Sequence, residues 1–256
     1  SLMLFLLSPA KTLDYSETAY ETHSQPRLLD RSQALVDLLR EKTVPDLQRL
    51  MNISEELAVL NAERYADFRT PFTLDNAKQA LLAFKGDVYQ GLGADEFDET
   101  DLKYVQRHVR ILSGLYGLLR PMDLMQPYRL EMGTRLSNGH GKNLYEFWGE
   151  TITELINRDL AQVEQKAVIN LASKEYFKSV DSAKLQGELY EVDFKEKRED
   201  GSYRIIAVYA KKARGMMCRY AVQHRLTTPA ELKGFDLDGY AFNEELSDEQ
   251  HYVFTR

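Results

Sequence analysis

The chain has 256 residues, 43% hydrophobic and 29% charged, enough apolar material for one large core. Its single cysteine excludes an internal disulfide and suits a reducing compartment, so a cytoplasmic location is expected. The formal net charge of −7 excludes a uniformly basic surface for a polyanion. It does not exclude a local one: residues 203–225 hold Arg204, Lys211, Lys212, Arg214, Arg219 and Arg225 with no acid, and acids concentrate at 95–101 and 236–249.

No Pro/Ser/Gly-rich linker, low-complexity tract or internal repeat marks a boundary, so a single domain over 3–256 is expected. Ser1 and Leu2 read as an addition before a natural start at Met3. The opening MLFLL is too short for a membrane span or a secretory leader, and MLFLLS (3–8) reads as a buried strand. Helical spacing then dominates. RLLDRSQALVDLLREK has Pro26 placed for a first turn, TVPDLQRLM follows, and SEELAVLNAERYADF opens with Ser54 as N-cap. DNAKQALLAF (75–84) predicts another helix ended by Gly86, and a helix from Asp98 is expected to carry an apolar stripe of Leu102, Val105, Val109 and Leu112.

The segment RILSGLYGLLRPMDLMQPYRLEMG (110–133) suits neither a core helix, because of its glycines and prolines, nor a linker, because it is too apolar. It reads as tightly packed irregular backbone that gathers arginines. NLYEFWGETITELINRDL (143–160) is helical. Thereafter KAVINLA (166–172) predicts a strand, ELYEVDFKEK and YRIIAVYAKK a hairpin through REDGS, and GYAFNEE with HYVFTR a second hairpin. Helices mostly first and strands mostly last indicate an α+β fold, a single mixed domain with a sheet wrapped by helices.

Four features carry candidate chemistry. In KKARGMMCRYAVQHRL (211–226) the apolar residues gather on one helical side, leaving Lys211, Lys212, Arg214, Arg219 and Arg225 on the other with Cys218. That is either a solvated face or a basic surface; cations beside Cys218 would make it a better nucleophile, and the favoured alternative is a partly buried, inert thiol. LSGLYG has glycines that allow close approach of a ligand, with Arg110 and Arg120 adjacent, so its N–H groups could hold phosphate as in a helix-hairpin-helix element. Two residues separate Gly114 from Gly117, where that motif has one, and the alternative is a tight core turn. Lys11 in SPAKTLDY, and Asn170, Ser173, Lys174 and Lys178 in NLASKEYFKS, follow predicted strands, where phosphate-binding or simple capping roles are equally open. His23, His108, His140, His224 and His251 show no metal-ligand spacing, and no Walker loop, GxGxxG or GxSxG occurs, so no metal or cofactor is expected.

Six stretches, LSPAKTLDY, AFKGDVYQGL, LSGLYGLLRPMDLMQPYRLEMG, NLYEFWG, VINLASKEYFKSV and YAKKARGMM, occur in an order that resembles the YaaA family of bacterial peroxide-stress response proteins. The resemblance runs from Met3 into the last hairpin. It implies a cytosolic protein of the hydrogen peroxide response that keeps free iron low and binds DNA, through an α+β fold with a helix-hairpin-helix-like element and a basic cleft. Carried onto this sequence, the hairpin falls on Leu112 to Gly117 beside Arg110 and Arg120. The cleft is expected from Lys11, Lys85, Arg129, Lys174, Lys178, Lys211, Lys212 and Arg214. The resemblance supplies no catalytic reaction.

The expected function is therefore DNA binding in the oxidative stress response, limiting iron-dependent DNA damage. Contacts would fall mainly on phosphates of duplex or branched DNA, with weak sequence preference and no membrane partner. The rival is an enzyme acting on a phosphorylated small molecule or nucleic acid in the same cleft, with Lys11, Asp123, Glu175, Tyr176 and Tyr209 as acid–base groups.

Overall fold

A computed structural model describes residues 1–256. Strand β1 (Leu2–Leu7) and the short β2 (Thr12–Leu13) precede helices α1 (Leu29–Arg40), α2 (Val44–Met51) and α3 (Glu55–Asp67). Next come β3 (Lys78–Gln79), α4 (Ala80–Ala83), β4 (Phe84–Lys85), α5 (Asp87–Leu92) and α6 (Glu99–His108). Strands β5 (Val109–Ser113), β6 (Gly117–Leu119) and β7 (Leu124–Met125) lead into α7 (Leu144–Trp148) and α8 (Thr151–Leu160). The chain closes with β8 (Lys166–Leu171), α9 (Lys174–Phe177), β9 (Glu188–Lys197), β10 (Tyr203–Arg204), α10 (Ala207–His224), β11 (Ala241–Phe242) and β12 (His251–Thr255).

Local chemistry accounts for the clearest boundaries. Ser54 accepts the Leu57 N–H at 3.2 Å to start α3, and Asp98 and Asp101 form a reciprocal capping box at the start of α6. Thr43 and Asp46 do the same for α2, with Pro45 in the first turn. In β1 every residue of LMLFLL is buried, so both of its faces are covered. The main sheet is mixed, ordered β11-β12-β9-β8-β1-β5-β6, with β10 paired to β9. Its centre is parallel throughout: β5, β8 and β1 pair in parallel, as do β8 with β9 and β9 with β12. The family of buried side chains around this α+β sheet forms one continuous core from Leu2 to Phe254.

Several expected elements differ. Residues 75–84 are not one helix; β3, the single turn of α4 and β4 divide them, because β3 pairs with β7 and β4 with β2. The helix from Asp98 stops at His108, and Val109 and Leu112 belong to β5, where β-branched and leucine side chains pack against β1. Residues 143–160 form two helices broken at Gly149, whose φ is +50°. Pro26 lies outside the first turn of α1, which begins at Leu29. The REDGS hairpin forms, with Tyr203 opposite Lys197, but its second strand ends at Arg204 and α10 has already begun at Ala207. The final hairpin pairs Ala241 with Thr255 as expected.

Helix α10 packs closely on α5. A Cβ on Gly215 would lie 1.7 Å from the Val88 carbonyl oxygen, and one on Gly91 would lie 2.1 Å from the Lys212 carbonyl oxygen. The two helices touch backbone to backbone. Gly215→Ala should therefore lower stability by about 2 kcal/mol or more, as overpacking of a tight contact does. A denaturant titration would register it as a lower midpoint, and an unchanged midpoint would show that the helices separate freely.

Candidate functional site

The central parallel strands follow the order β5-β1-β8-β9-β12. The chain leaves β1 for a neighbour on one side and later returns to β8 on the other. This is a topological switch point, and crevices outside the carboxyl ends of such strands are where open parallel sheets bind ligands. A cleft of 350 Å³ lies there. Ser8 to Thr12 enter it directly after β1, and Ser173, Glu175 and Tyr176 directly after β8. The β2–β4 ribbon sets Lys85 opposite Thr12, while Gly86, at φ +149°, lets the chain pass the Ala10 side chain. Lys211 and Arg214 come from the α10 turn that the Gly91–Gly215 contact presses onto α5. Tyr128, Arg129 and Glu131 complete the lining.

Hydrogen bonds tie these loops together. The Ser173 N–H donates to Ser8 Oγ at 2.8 Å, and Ser8 Oγ donates to Ser173 Oγ at 3.3 Å. Tyr89 OH donates to the Ser8 carbonyl at 2.8 Å, and Glu175 accepts the Gly133 N–H at 2.9 Å. Burial raises the pKa of Tyr89, Tyr128 and Tyr176, so their hydroxyls stay protonated. The charges are uneven. Glu131 sits 3.1 Å from Arg129 and 3.5 Å from Lys11. Lys85, Lys211 and Arg214 form no ion pair, and their side chains donate no hydrogen bond within the protein. Burial of the Arg214 guanidinium pulls its pKa down, with Asp193 acting in the opposite sense. The cleft thus holds five cations against three carboxylates, the third being Asp87.

Residues 3–246 match the family described as peroxide stress protein YaaA. The chain belongs to that family. It is also 54% identical over 255 residues to a UPF0246 protein of Chromobacterium violaceum, an alignment covering 99% of each chain. Family membership connects the chain with the peroxide stress response. No helix is long and apolar enough to cross a membrane.

Of the residues assigned to phosphate from sequence, the cleft gathers Lys11, Lys85, Arg129, Lys211 and Arg214. Lys174, Lys178 and Lys212 are exposed but outside its lining, and Lys178 sits 4.9 Å above the Tyr145 ring. The LSGLYG expectation needs correction. Its residues form the turn of the β5–β6 hairpin, with Leu115 and Tyr116 fully buried. A Cβ on Gly114 would meet the Leu130 carbonyl at 2.1 Å, and one on Gly117 the Trp148 ring at 2.8 Å. These glycines make room for protein, and Trp148 donates to the Gly114 carbonyl at 3.0 Å.

Arg110 is likewise buried, donating to Asp159 at 2.8 Å, and Arg27 donates to the same carboxylate at 2.7 Å. Arg120 is held by Asp123 and by the Gln25 carbonyl. Neither is available to a phosphate, so the arginines of 110–133 diverge rather than gather. The chain does contain two helices joined by a short turn, α2 and α3, but α3 opens with Glu55 and Glu56, which repel anions.

Among the rival's acid–base candidates, Lys11, Glu175 and Tyr176 line the cleft. Asp123 is buried beneath Arg120, and exposed Tyr209 lies under Arg256, away from the cleft. The acid-free stretch 203–225 is neutralised in part from the acidic stretch 95–101: Arg219 pairs with Glu96 at 2.7 Å and Arg225 with Asp101 at 2.8 Å. Sequence reading missed Ser8, Asp87, Tyr89, Tyr128 and Glu131; only the position of Ser8 just after a strand signalled any of them.

Of the two readings of Cys218, the structure bears out the inert thiol. It is fully buried, and burial pushes its pKa up, so the basic face does not activate it. A thiol reagent at neutral pH should label native protein at least a hundredfold more slowly than denatured protein; comparable rates would contradict this placement. Asp159 gives a second test. Burial alone would raise its pKa, but hydrogen bonds from Arg27 and Arg110 outweigh it and hold the carboxyl below its ordinary value. Its stabilisation is therefore present above the unfolded value of about 4 and lost as pH falls through the depressed folded value. Asp159→Asn should cost roughly 3 kcal/mol at pH 7, because two buried guanidinium groups lose their carboxylate. The gap to the parent chain should narrow steadily in urea titrations below pH 4.

Proposed function

We propose that this chain serves the peroxide stress response as a DNA-binding protein, holding phosphate in the switch-point cleft and limiting iron-dependent damage by covering the backbone. One observation carries the reading: Lys85, Lys211 and Arg214 converge on one recess with no protein acceptor for their charge. Placing unpaired cations together costs free energy, and an anionic ligand recovers it. Phosphate contacts position a protein on nucleic acid without reading bases, so sequence preference is weak.

A second reading, an enzyme for a phosphorylated small molecule or nucleic acid, is favoured by the site's placement at the carboxyl ends of β1 and β8 beside Ser8, Ser173 and Glu175. The two separate by mutation. Enzymatic turnover would vanish with Glu175→Gln while binding persisted.

If the three unpaired cations each displace a counterion from DNA, the log–log slope of affinity against salt is about −3. Lys211→Ala and Arg214→Ala should each flatten it by about one unit. Lys212→Ala, which lies outside the lining, should leave it unchanged. Fluorescence anisotropy with a duplex and a four-way junction over a salt series measures this, and equal slopes for all three variants would remove the cleft from the interface.

A further inference from the structure

We infer that the cleft prefers a phosphate monoester, the terminal phosphate of a nucleotide or of a broken strand, over a phosphodiester inside a continuous strand. The inference rests on the reading of this cleft as a phosphate site and adds the chemical form of the phosphate.

Shape supplies the first argument. At 350 Å³ the recess is at the small end of ligand sites, which run from about 300 to 1,000 Å³. Its lining includes Val88, Tyr89, Tyr128, Leu130 and Tyr176, each less than one-tenth exposed. A phosphodiester carries a sugar on both sides and enters such a recess only by dragging both neighbours with it. A terminal phosphate carries one substituent and enters end first.

Charge supplies the second. A diester bears a single negative charge, whereas a monoester bears about 1.5 to 2 at pH 7. The lining's excess of two cations over carboxylates matches the monoester. Hydrogen bonding supplies the third. A monoester presents three terminal oxygens where a diester presents two. The Arg214 guanidinium has five N–H donors and no protein acceptor, and Ser173 Oγ accepts from Ser8 while its own proton is given to no protein group. These donors line the same recess as Lys85 and Lys211, whose ammonium groups also have no acceptor within the protein.

The link to peroxide follows from general chemistry. Hydroxyl radicals made from peroxide and ferrous iron break the sugar–phosphate backbone and leave ends that carry phosphate monoesters. Such ends are the strand feature that oxidative damage creates and intact DNA lacks.

The test compares one oligonucleotide sequence with hydroxyl ends, with a 5′-phosphate and with a 3′-phosphate, using full-length protein and anisotropy. Adenosine 5′-monophosphate and adenosine serve as competitors. At least one phosphorylated end should bind tenfold tighter than the hydroxyl-ended strand, and the monophosphate should compete where adenosine does not. Arg214→Ala and Lys211→Ala should each erase most of the tenfold preference; two variants guard against one failing to fold. Equal, salt-sensitive binding of all three strands, with no competition by the monophosphate, would overturn the inference and leave the DNA-binding reading standing. Monophosphate binding without binding of any oligonucleotide would sink the DNA reading and keep the monoester seat.

Discussion

The backbone contact between α5 and α10 is the constraint on which the cleft depends. A helix pair ordinarily keeps its axes apart by the thickness of the side chains between them. At Gly91 and Gly215 there are no such side chains, and each Cα faces a carbonyl oxygen of the other helix. Because α5 begins two residues after Lys85, and Arg214 immediately precedes Gly215, this one contact fixes cations on facing walls. A methyl group at either glycine would push the walls apart. The site's geometry is therefore a consequence of packing, set by residues that carry no charge at all.

A second constraint is the sorting of arginines into those with carboxylate partners and those without. Arg27 and Arg110 share Asp159, Arg120 holds Asp123, and Arg219 and Arg225 reach the acidic stretch at 95–101. For the buried Arg110 the pairing offsets a guanidinium that would otherwise be costly to bury. Lys85, Lys211 and Arg214 have no such partner and line one recess, in a protein whose net charge is negative. A net charge of −7 supplies no long-range attraction for a polyanion.

Much of the fold was legible because its signals are local. Ser54, Thr43 and Asp98 mark helix starts by side-chain capping, and LMLFLL and KAVINL are too apolar and too short to be anything but buried strands. The failures share a cause. Val109 and Leu112 continue a helical spacing yet sit in β5, since pairing with β1 outweighs periodicity over so few residues. Ile206 to Ala210 read as a strand by composition, yet 207–210 form the first turn of α10. At the site, Lys11, Lys211 and Arg214 were legible as cations near strand or helix ends, whereas Lys85 and Arg129 came only with the family resemblance. Arg110 was not separable from them, because its partner Asp159 lies 49 residues away in sequence.

The glycines show the same limit more sharply. Gly114, Gly117, Gly91 and Gly215 all signal close approach, and sequence cannot say what approaches. At Gly114 it is the Leu130 carbonyl, at Gly117 the Trp148 ring, and at Gly91 and Gly215 a helix backbone. None of the four faces an open surface where a nucleic acid could lie. At the ends of β1 and β8, loops from five distant segments meet. A recess assembled in this way is rigid because each wall is braced by core contacts. Rigidity is what allows cations to be held together before a ligand arrives. The repulsion among them is sustained by the packing energy of the core. An anion that bound there would stabilise the fold by mass action, by an amount that grows with the logarithm of its concentration once that exceeds the dissociation constant.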